Sequence, residues 1–388
     1  MSGSLRIRAA RLVGVERRDP VDIGIAGGRI FGLEPSAAGR PKRAADEELD
    51  AEGLLVAPGY IDLQINGAAG RDLTADPSSI WDVGAAIVRY GVTAFLPTIV
   101  TSPREVVEAG RRTLLAGPPR GYAGARPLGL HVEGPFISAE WVGAHDPGHR
   151  RDPDPAFVAG WSRDAGVAIV TLAPELPGAL ELIAELARRR IVASIGHTAA
   201  TADEARAAFD AGARFVTHLF NAMPGLDHRE PGPVGAALAD ERVTVGLIPD
   251  GLHVDPSVVG VAWRAAGAAR FAAVTDAIAA LGMAPGAYRL GTMDLVVEAT
   301  SARLRDGRLA GSIIPLDAAV RNVRAFTGAT VAEAVRTVTS TPARLLGLAP
   351  GRVVVREGGA ADLTILNPEL EVVATVVAGR VVYRAESG

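Results

Sequence analysis

Period-two alternation of apolar and polar positions dominates both ends of the chain. LRIRAARLV (5–13), VDIGIAGGRIFGLE (21–34) and EELDAEGLLVA (47–57) read as short strands broken by Gly-Gly and polar turns. The same texture returns after residue 350 in GRVVVREGGAADLTILNPELEVVATVVAGRVVYR, with turns expected at Gly358-Gly359 and Asn367-Pro368. Neither segment can bury a core alone. Residues 1–57 and 350–388 are therefore expected to pair into one small β-sandwich domain.

Between them the pattern changes to apolar runs of strand length alternating with amphipathic, Ala-rich stretches. The runs are YIDLQI (60–65), TAFLPTI (93–99), PLGLHVE (127–133), VAIVTLA (167–173), IVASIGH (191–197), RFVTHLF (214–220), VTVGLIPD (243–250) and FAAVTDA (271–277). Helix starts are legible at Asp76-Pro77, Ser102-Pro103 and Asp255-Pro256, where a cap residue precedes proline. Thr201 with Glu204, and Thr330 with Glu333, fit capping boxes. Eight strand–helix alternations over residues 58–349 predict a (β/α)8 TIM-type barrel, whose functional groups sit at the C-terminal ends of its strands. A doubly wound sheet is the rival, but NGAAG after Ile65 is a poor match to the glycine-rich phosphate turn such a sheet carries.

Composition narrows the chemistry. Of 388 residues, 48% are hydrophobic and 22% charged, which suits a globular protein with a large core. A formal charge of -4 offers no basic surface for nucleic acid. The N-terminal MSGSLRIRAARLVG lacks the apolar core of a signal peptide, and no run reaches the roughly 20 apolar residues of a membrane span, so no membrane association is expected. With no cysteine, disulfides, thiolate nucleophiles and zinc–sulfur sites are ruled out, and the cytoplasm is the expected location. The chain's single lysine, Lys42, lies in a polar stretch, which removes Schiff-base chemistry and a carbamylated lysine bridging two metals.

Polar residues gather where the barrel strands end. Glu133, His197, His218 and Asp276 close the third, fifth, sixth and eighth runs, and Asp250 and His253 follow the seventh. One such histidine would read as a core imidazole; several titratable groups, all at strand ends, read as a site. Glu133, His197 and His218 form a two-imidazole, one-carboxylate set able to hold one divalent metal and leave a position open for water. Zn²⁺ is the leading candidate, with Fe²⁺, Co²⁺ and Mn²⁺ as alternatives. His131, two residues before Glu133, shares its face and is open to two readings: a fourth ligand, or a group behind the ligands. Three protein ligands already make a catalytic site, which favours the latter. Asp276 is the expected general base, with capping of the following AIAAL as its structural alternative.

Taken together these strings resemble the N-acetylglucosamine-6-phosphate deacetylases of the amidohydrolase superfamily: PGYIDLQINGAAG, GLHVEGPFIS, GAHDP, IGHTAATADEA, THLFNAMPGLDHREPG, DGLHVDP and VTDA, followed by LAGSIIPLDAAVRN, TPARLLGL and GRVVVREGGAADLTIL. The likeness runs nearly end to end. It implies hydrolysis of the acetamido group of N-acetylglucosamine-6-phosphate to glucosamine-6-phosphate and acetate, in amino-sugar catabolism or cell-wall recycling. Under it Glu133, His197 and His218 bind the metal, a metal-bound water attacks, and Asp276 acts as base and then acid. His145 becomes an oxyanion donor or sugar contact, and Leu309, Ala310 and Gly311 cover the substrate. Phosphate contacts map to Asn221, Ala222, Arg229 and His253, with Arg229 and His253 reaching a neighbouring subunit's site, so a homodimer is implied. Alternatives are a deacetylase for N-acetylgalactosamine-6-phosphate or an N-acetyl amino acid, and a barrel scaffold without catalysis.

Some family members carry His-x-His at the first strand end and bind a second metal there; this chain has Gln64 and Asn66. Neutral amides are weak ligands, so these two are read as hydrogen-bonding groups behind the metal ligands or as the remnant of a second metal position, and the expectation is one metal per subunit. Replacing both, as Gln64→His with Asn66→His, should create binding of a second equivalent of zinc by elemental analysis. Tight binding of two equivalents by the unmodified protein would contradict this reading.

Overall fold

The computed structural model describes residues 3–14, 19–36 and 45–386; Lys42 lies outside them. Strands from both ends of the chain share one hydrogen-bonded sheet, joined where Leu55–Pro58 runs antiparallel to Leu363–Leu366. Gly27 and Gly28 close the hairpin between Val21–Ala26 and Arg29–Pro35 with φ of 58° and 76°, the left-handed pair a tight hairpin turn requires. The strand Leu5–Leu12 serves both halves of the sheet. Its register shifts between Ile7 and Ala10, and Ala9 takes a left-handed φ of 53°. The bend folds the halves over one core, in which Ile7, Ile23 and Ile25 meet Leu363, Ile365 and Val376. The expected sandwich thus forms from a single continuous sheet.

The middle of the chain is a parallel barrel of eight strands: Tyr60–Ile65, Val92–Val100, Leu130–Glu133, Val167–Leu172, Val192–Ile195, Phe215–Val216, Thr244–Leu247 and Phe271–Ala273. All eight expected runs are present, most of them shorter than predicted. Three stop early for one physical reason: His197, His218 and Asp276 have φ of 49°, 29° and 50°, and a left-handed residue ends the ladder. The barrel closes thinly. Between the first and eighth strands there is one bridge, Ile65 to Ala277, with Asp276 N–H donating to the Gln64 carbonyl (2.9 Å) and Asn66 N–H to that of Ala277 (2.7 Å). Buried Asp62 reinforces this seam, accepting from the Thr275 hydroxyl (2.6 Å) and the Gln64 N–H (3.1 Å).

Inside the barrel, the third, fourth, fifth and sixth strands are tied by a buried polar chain. His131 Nε2 meets the Thr171 hydroxyl at 2.7 Å, which meets Thr217 at 2.7 Å, which meets Ser194 at 2.6 Å. Outside, aromatic side chains such as Phe95, Phe209, Phe215 and Phe271 fill the layer between strands and helices. The predicted helix starts hold at Asp255, which accepts from Ser257 N–H ahead of Pro256–Arg270, and at both capping boxes. Asp76 caps a single 3-10 turn (Pro77–Ser79) before the helix Ile80–Ile87. At Ser102-Pro103 the helix begins one residue later, at Arg104, with Pro103 as the extended cap.

One element has no counterpart in the sequence reading. Between the eighth strand and the helix Leu316–Thr327, the strands Gly286–Leu290, Met293–Val297 and Ala302–Leu304 form a small antiparallel sheet. Leu290, Leu295 and Leu304 seat it against Val100 and Ala144 at the barrel mouth.

Thr201 starts the helix Ala202–Ala211 four residues after His197, through a reciprocal bond with Glu204. Thr201→Ala should lower unfolding free energy by about 1 kcal/mol, measured by urea denaturation, while the first strand and its side chains stay in place.

Candidate metal centre and active site

Three ligand atoms converge at the C-terminal mouth of the barrel. Glu133 ends the third strand, where alternation turns it inward with His131, and is 2% exposed. Its Oε1 lies 3.2 Å from His197 Nε2 and 3.0 Å from His218 Nε2, and the two imidazole nitrogens are 3.1 Å apart. Tetrahedral zinc with bonds of about 2.05 Å sets its ligands about 3.3 Å apart, so the spacing suits a single small divalent ion. His197 Nδ1 meets the Trp141 carbonyl at 3.0 Å; a carbonyl only accepts, so the proton sits on Nδ1 and Nε2 keeps its lone pair for the metal. Burial would raise the Glu133 pKa, but hydrogen bonds from His197 and His218 hold it well below the usual carboxylate range.

Backbone geometry aims these groups. Left-handed φ at His197 and His218 is uncommon for residues with a Cβ, and Phe220 and Ala222 share it at 79° and 51°. Two glycines make room. A Cβ on Gly134 would meet the Thr101 hydroxyl at 2.2 Å, and one on Gly143 would meet His197 Cε1 at 2.9 Å.

The two amides of the first strand have specific partners. Gln64 Nε2 donates to Glu133 Oε1 at 3.1 Å, and Asn66 Nδ2 to Asp276 Oδ1 at 2.6 Å. They hold the two carboxylates of the site, adding no charge. Burial, then the negative charge of Glu133, pushes Asp276 up to about 6, against the pull of His218 and the Asn66 bond. Near neutral pH it is a carboxylate close to its switching point, as a general base requires.

His145 is oriented just as tightly. The Thr101 N–H can only donate, and it reaches His145 Nδ1 at 3.3 Å with the Thr101 hydroxyl at 2.7 Å. The imidazole proton is therefore on Nε2, which lies 3.8 Å from Glu133 Oε2. Burial, then the neighbouring His197, lowers the His145 pKa to about 3, so it stays a neutral N–H donor.

A cavity of about 560 Å³ opens over these groups, and Asn221, Ala222, His253, Leu309, Ala310 and Gly311 all line it. Asn221 Nδ2 bonds the His218 carbonyl (3.3 Å), and His253 Nδ1 bonds the Asp250 carboxylate (2.7 Å). Gly311 has φ of 60°, and a Cβ there would strike the Asp276 carbonyl at 2.8 Å.

Three expectations change. His253 lies in this chain's own cavity, beside Asp250, so it need not come from a neighbour. Arg229 does not line that cavity; it lies in a separate cleft with Thr201, Arg206 and His228. His131 is not a fourth ligand, because Nδ1 bonds the Leu63 carbonyl (3.0 Å) and Nε2 the Thr171 hydroxyl. The sequence reading missed Trp141, Thr101, Arg303 and Arg308. Trp141 sits just ahead of GAHDP, but it acts through a backbone carbonyl that no side-chain pattern reveals.

The Amidohydrolase family model matches residues 55–382. The human N-acetylglucosamine-6-phosphate deacetylase is 38% identical over 382 residues, covering 94% of this chain and 92% of that protein. The N-acetylgalactosamine-6-phosphate deacetylase of Escherichia coli O157:H7 is 37% identical over 375 residues, covering 94% and 96%. Among solved structures, a substitution mutant of the Mycobacterium smegmatis N-acetyl-D-glucosamine-6-phosphate deacetylase in complex with N-acetyl-D-glucosamine-6-phosphate matches with a TM-score of 0.86 and 37% identity, covering 98% of this chain and 100% of that one.

Asn66→Ala removes the hydrogen bond that favours ionised Asp276. More of the carboxyl is then protonated at a given pH, so the acid limb of any Asp276-dependent activity should move up by roughly half to one pH unit. A kcat/KM profile with an unmoved limb would contradict this role for Asn66.

Proposed function

Because the chain belongs to the amidohydrolase family, within it to the N-acetylglucosamine-6-phosphate deacetylases, we propose that it hydrolyses N-acetylglucosamine-6-phosphate to glucosamine-6-phosphate and acetate. The observation that carries this reading is one cavity holding Glu133, His197 and His218 at 3.0–3.2 Å spacing with an ionisable Asp276 and a neutral His145.

Glu133, His197 and His218 would hold one divalent ion, Zn²⁺ by preference, which when bound supplies Lewis acidity to polarise the amide carbonyl and acidify a water. Asp276 takes the proton of the attacking water. Asn66 occupies Oδ1, which leaves Oδ2 for that transfer, and the acid then returns the proton to the departing amine. His145 Nε2–H donates to the carbonyl oxygen as its negative charge develops. Gln64 keeps Glu133 oriented between the imidazoles. Asn221, Ala222 and His253 contact the phosphorylated sugar, and Gly311 lets the chain cover it closely. Arg229, lying outside its own chain's cavity, is proposed to serve the site of a second copy in a homodimer. The reaction suits the cytoplasm, where a chain without cysteine is at no disadvantage.

A second reading has its own support: a relative acting on the galacto epimer is 37% identical, nearly as similar as the gluco-specific ones. Acetate release should be compared on N-acetylglucosamine-6-phosphate, N-acetylgalactosamine-6-phosphate and unphosphorylated N-acetylglucosamine, alongside metal content. The proposal expects the first to react fastest, about one metal per chain, and a loss of about 10²- to 10⁴-fold in kcat for Asp276→Asn. A faster galacto substrate selects the second reading. No acetate from any of the three after loading with Zn²⁺, Fe²⁺ or Co²⁺ sinks both. Arg229→Ala should reduce kcat/KM for the phosphorylated sugar, and light scattering should give the mass of a dimer.

A further inference from the structure

The catalytic cavity is acidic at its base and edge, with Glu133, Asp276 and Glu140 among its lining residues. A phosphorylated sugar brings a further charge of about −2 near neutral pH. His253 is already matched to Asp250, and Arg229 lies elsewhere. Among the described residues lining the cavity, two carry a permanent positive charge: Arg303 and Arg308.

Both belong to the segment that the sequence reading did not resolve. Arg303 sits in the strand Ala302–Leu304 and bridges to Leu309, so the two arginines flank the start of the covering stretch 309–311. That stretch is tied to the catalytic strand end: Ser312 N–H donates to the Asp276 carbonyl (2.9 Å), and Ile278 N–H to that of Ser312 (3.1 Å). The backbone that carries the cations is thus held in register with the general base. Arg308 spends two N–H groups on Asp306 (2.9 and 2.7 Å) and one on the Gly143 carbonyl (2.8 Å), leaving two of its five donors. Arg303 spends one, on the Gly307 carbonyl (2.8 Å), and among the described residues no carboxylate pairs with it. Both side chains are exposed at the mouth, where a long stem can follow a ligand.

Building on the deacetylase reading, we infer that Arg303 and Arg308 are specificity-determining residues that recognise the substrate's phosphate from within the same chain. Arg303 supplies the unmatched charge. Arg308, partly neutralised by Asp306, supplies directed donors and ties the covering segment to the loop that positions His197 and His145. Guanidinium groups suit this task because their planar donors match phosphate oxygens and they stay ionised.

The test is the ratio of kcat/KM for N-acetylglucosamine-6-phosphate to that for N-acetylglucosamine, in the metal-loaded enzyme, for wild type, Arg303→Gln and Arg308→Gln. Glutamine keeps donors and removes the charge. The inference expects the ratio to fall about tenfold for Arg303→Gln, chiefly through KM, and to fall for Arg308→Gln as well. Equal losses on both sugars would mean that the arginines only hold the loop together, and would overturn it. A ratio unchanged by both substitutions would overturn it while leaving the deacetylase reading intact; a wild-type enzyme with no preference for the phosphorylated sugar would overturn that reading too.

Discussion

Everything at the mouth of this barrel depends on keeping one buried carboxylate ionised. Glu133 sits at 2% exposure, where an unpaired charge would be prohibitive, and the structure answers with His197, His218 and the Gln64 amide on a single oxygen. Each partner comes from a different strand end. The same electrostatics reaches Asp276, whose pKa is raised by burial and by the charge of Glu133 itself. Ligand and base are thus set apart by their surroundings: one carboxylate is surrounded by donors and stays charged, the other has a single amide donor and can exchange a proton.

Holding that arrangement takes strained backbone. His197, His218 and Asp276 all adopt left-handed φ, a conformation costing on the order of 1 kcal/mol or more for such residues. The compensation is in the scaffold beneath. Asp62 clasps Thr275 across the barrel seam, the hydroxyl chain from His131 to Ser194 ties four strands, and Trp141 and Thr101 fix the imidazoles. Buried polar groups in such a network stabilise a single arrangement only when satisfied together.

The amides of the first strand show how little must change to alter a site of this kind. At 64 and 66 the chain has neutral donors, and each is committed to a carboxylate. A side chain that donates to Glu133 or Asp276 supports an existing centre, whereas a histidine lone pair at the same position would compete for a cation. The small antiparallel sheet after the eighth strand works at the other side of the mouth. It brings positive charge to a cavity whose barrel-derived groups are acidic or neutral.

Strand and helix alternation was legible because burial imposes it: a strand packed on both faces must be continuously apolar, and a helix outside it must be amphipathic. The ligand set was legible for the same reason, since Glu133, His197 and His218 interrupt apolar runs where no polar group is tolerated without a task. Capping boxes at Thr201 and Thr330 were equally local and equally readable. What lay beyond the sequence were contacts between segments far apart in the chain. The donation from Gln64 to Glu133, the Trp141 carbonyl behind His197, the location of His253 in its own cavity and the exclusion of Arg229 from it all depend on where loops come to rest. Periodicity records which face of an element is buried; it carries no information about which distant atom meets it. That was decided by the closure of the barrel and the fold of the segment laid across its mouth.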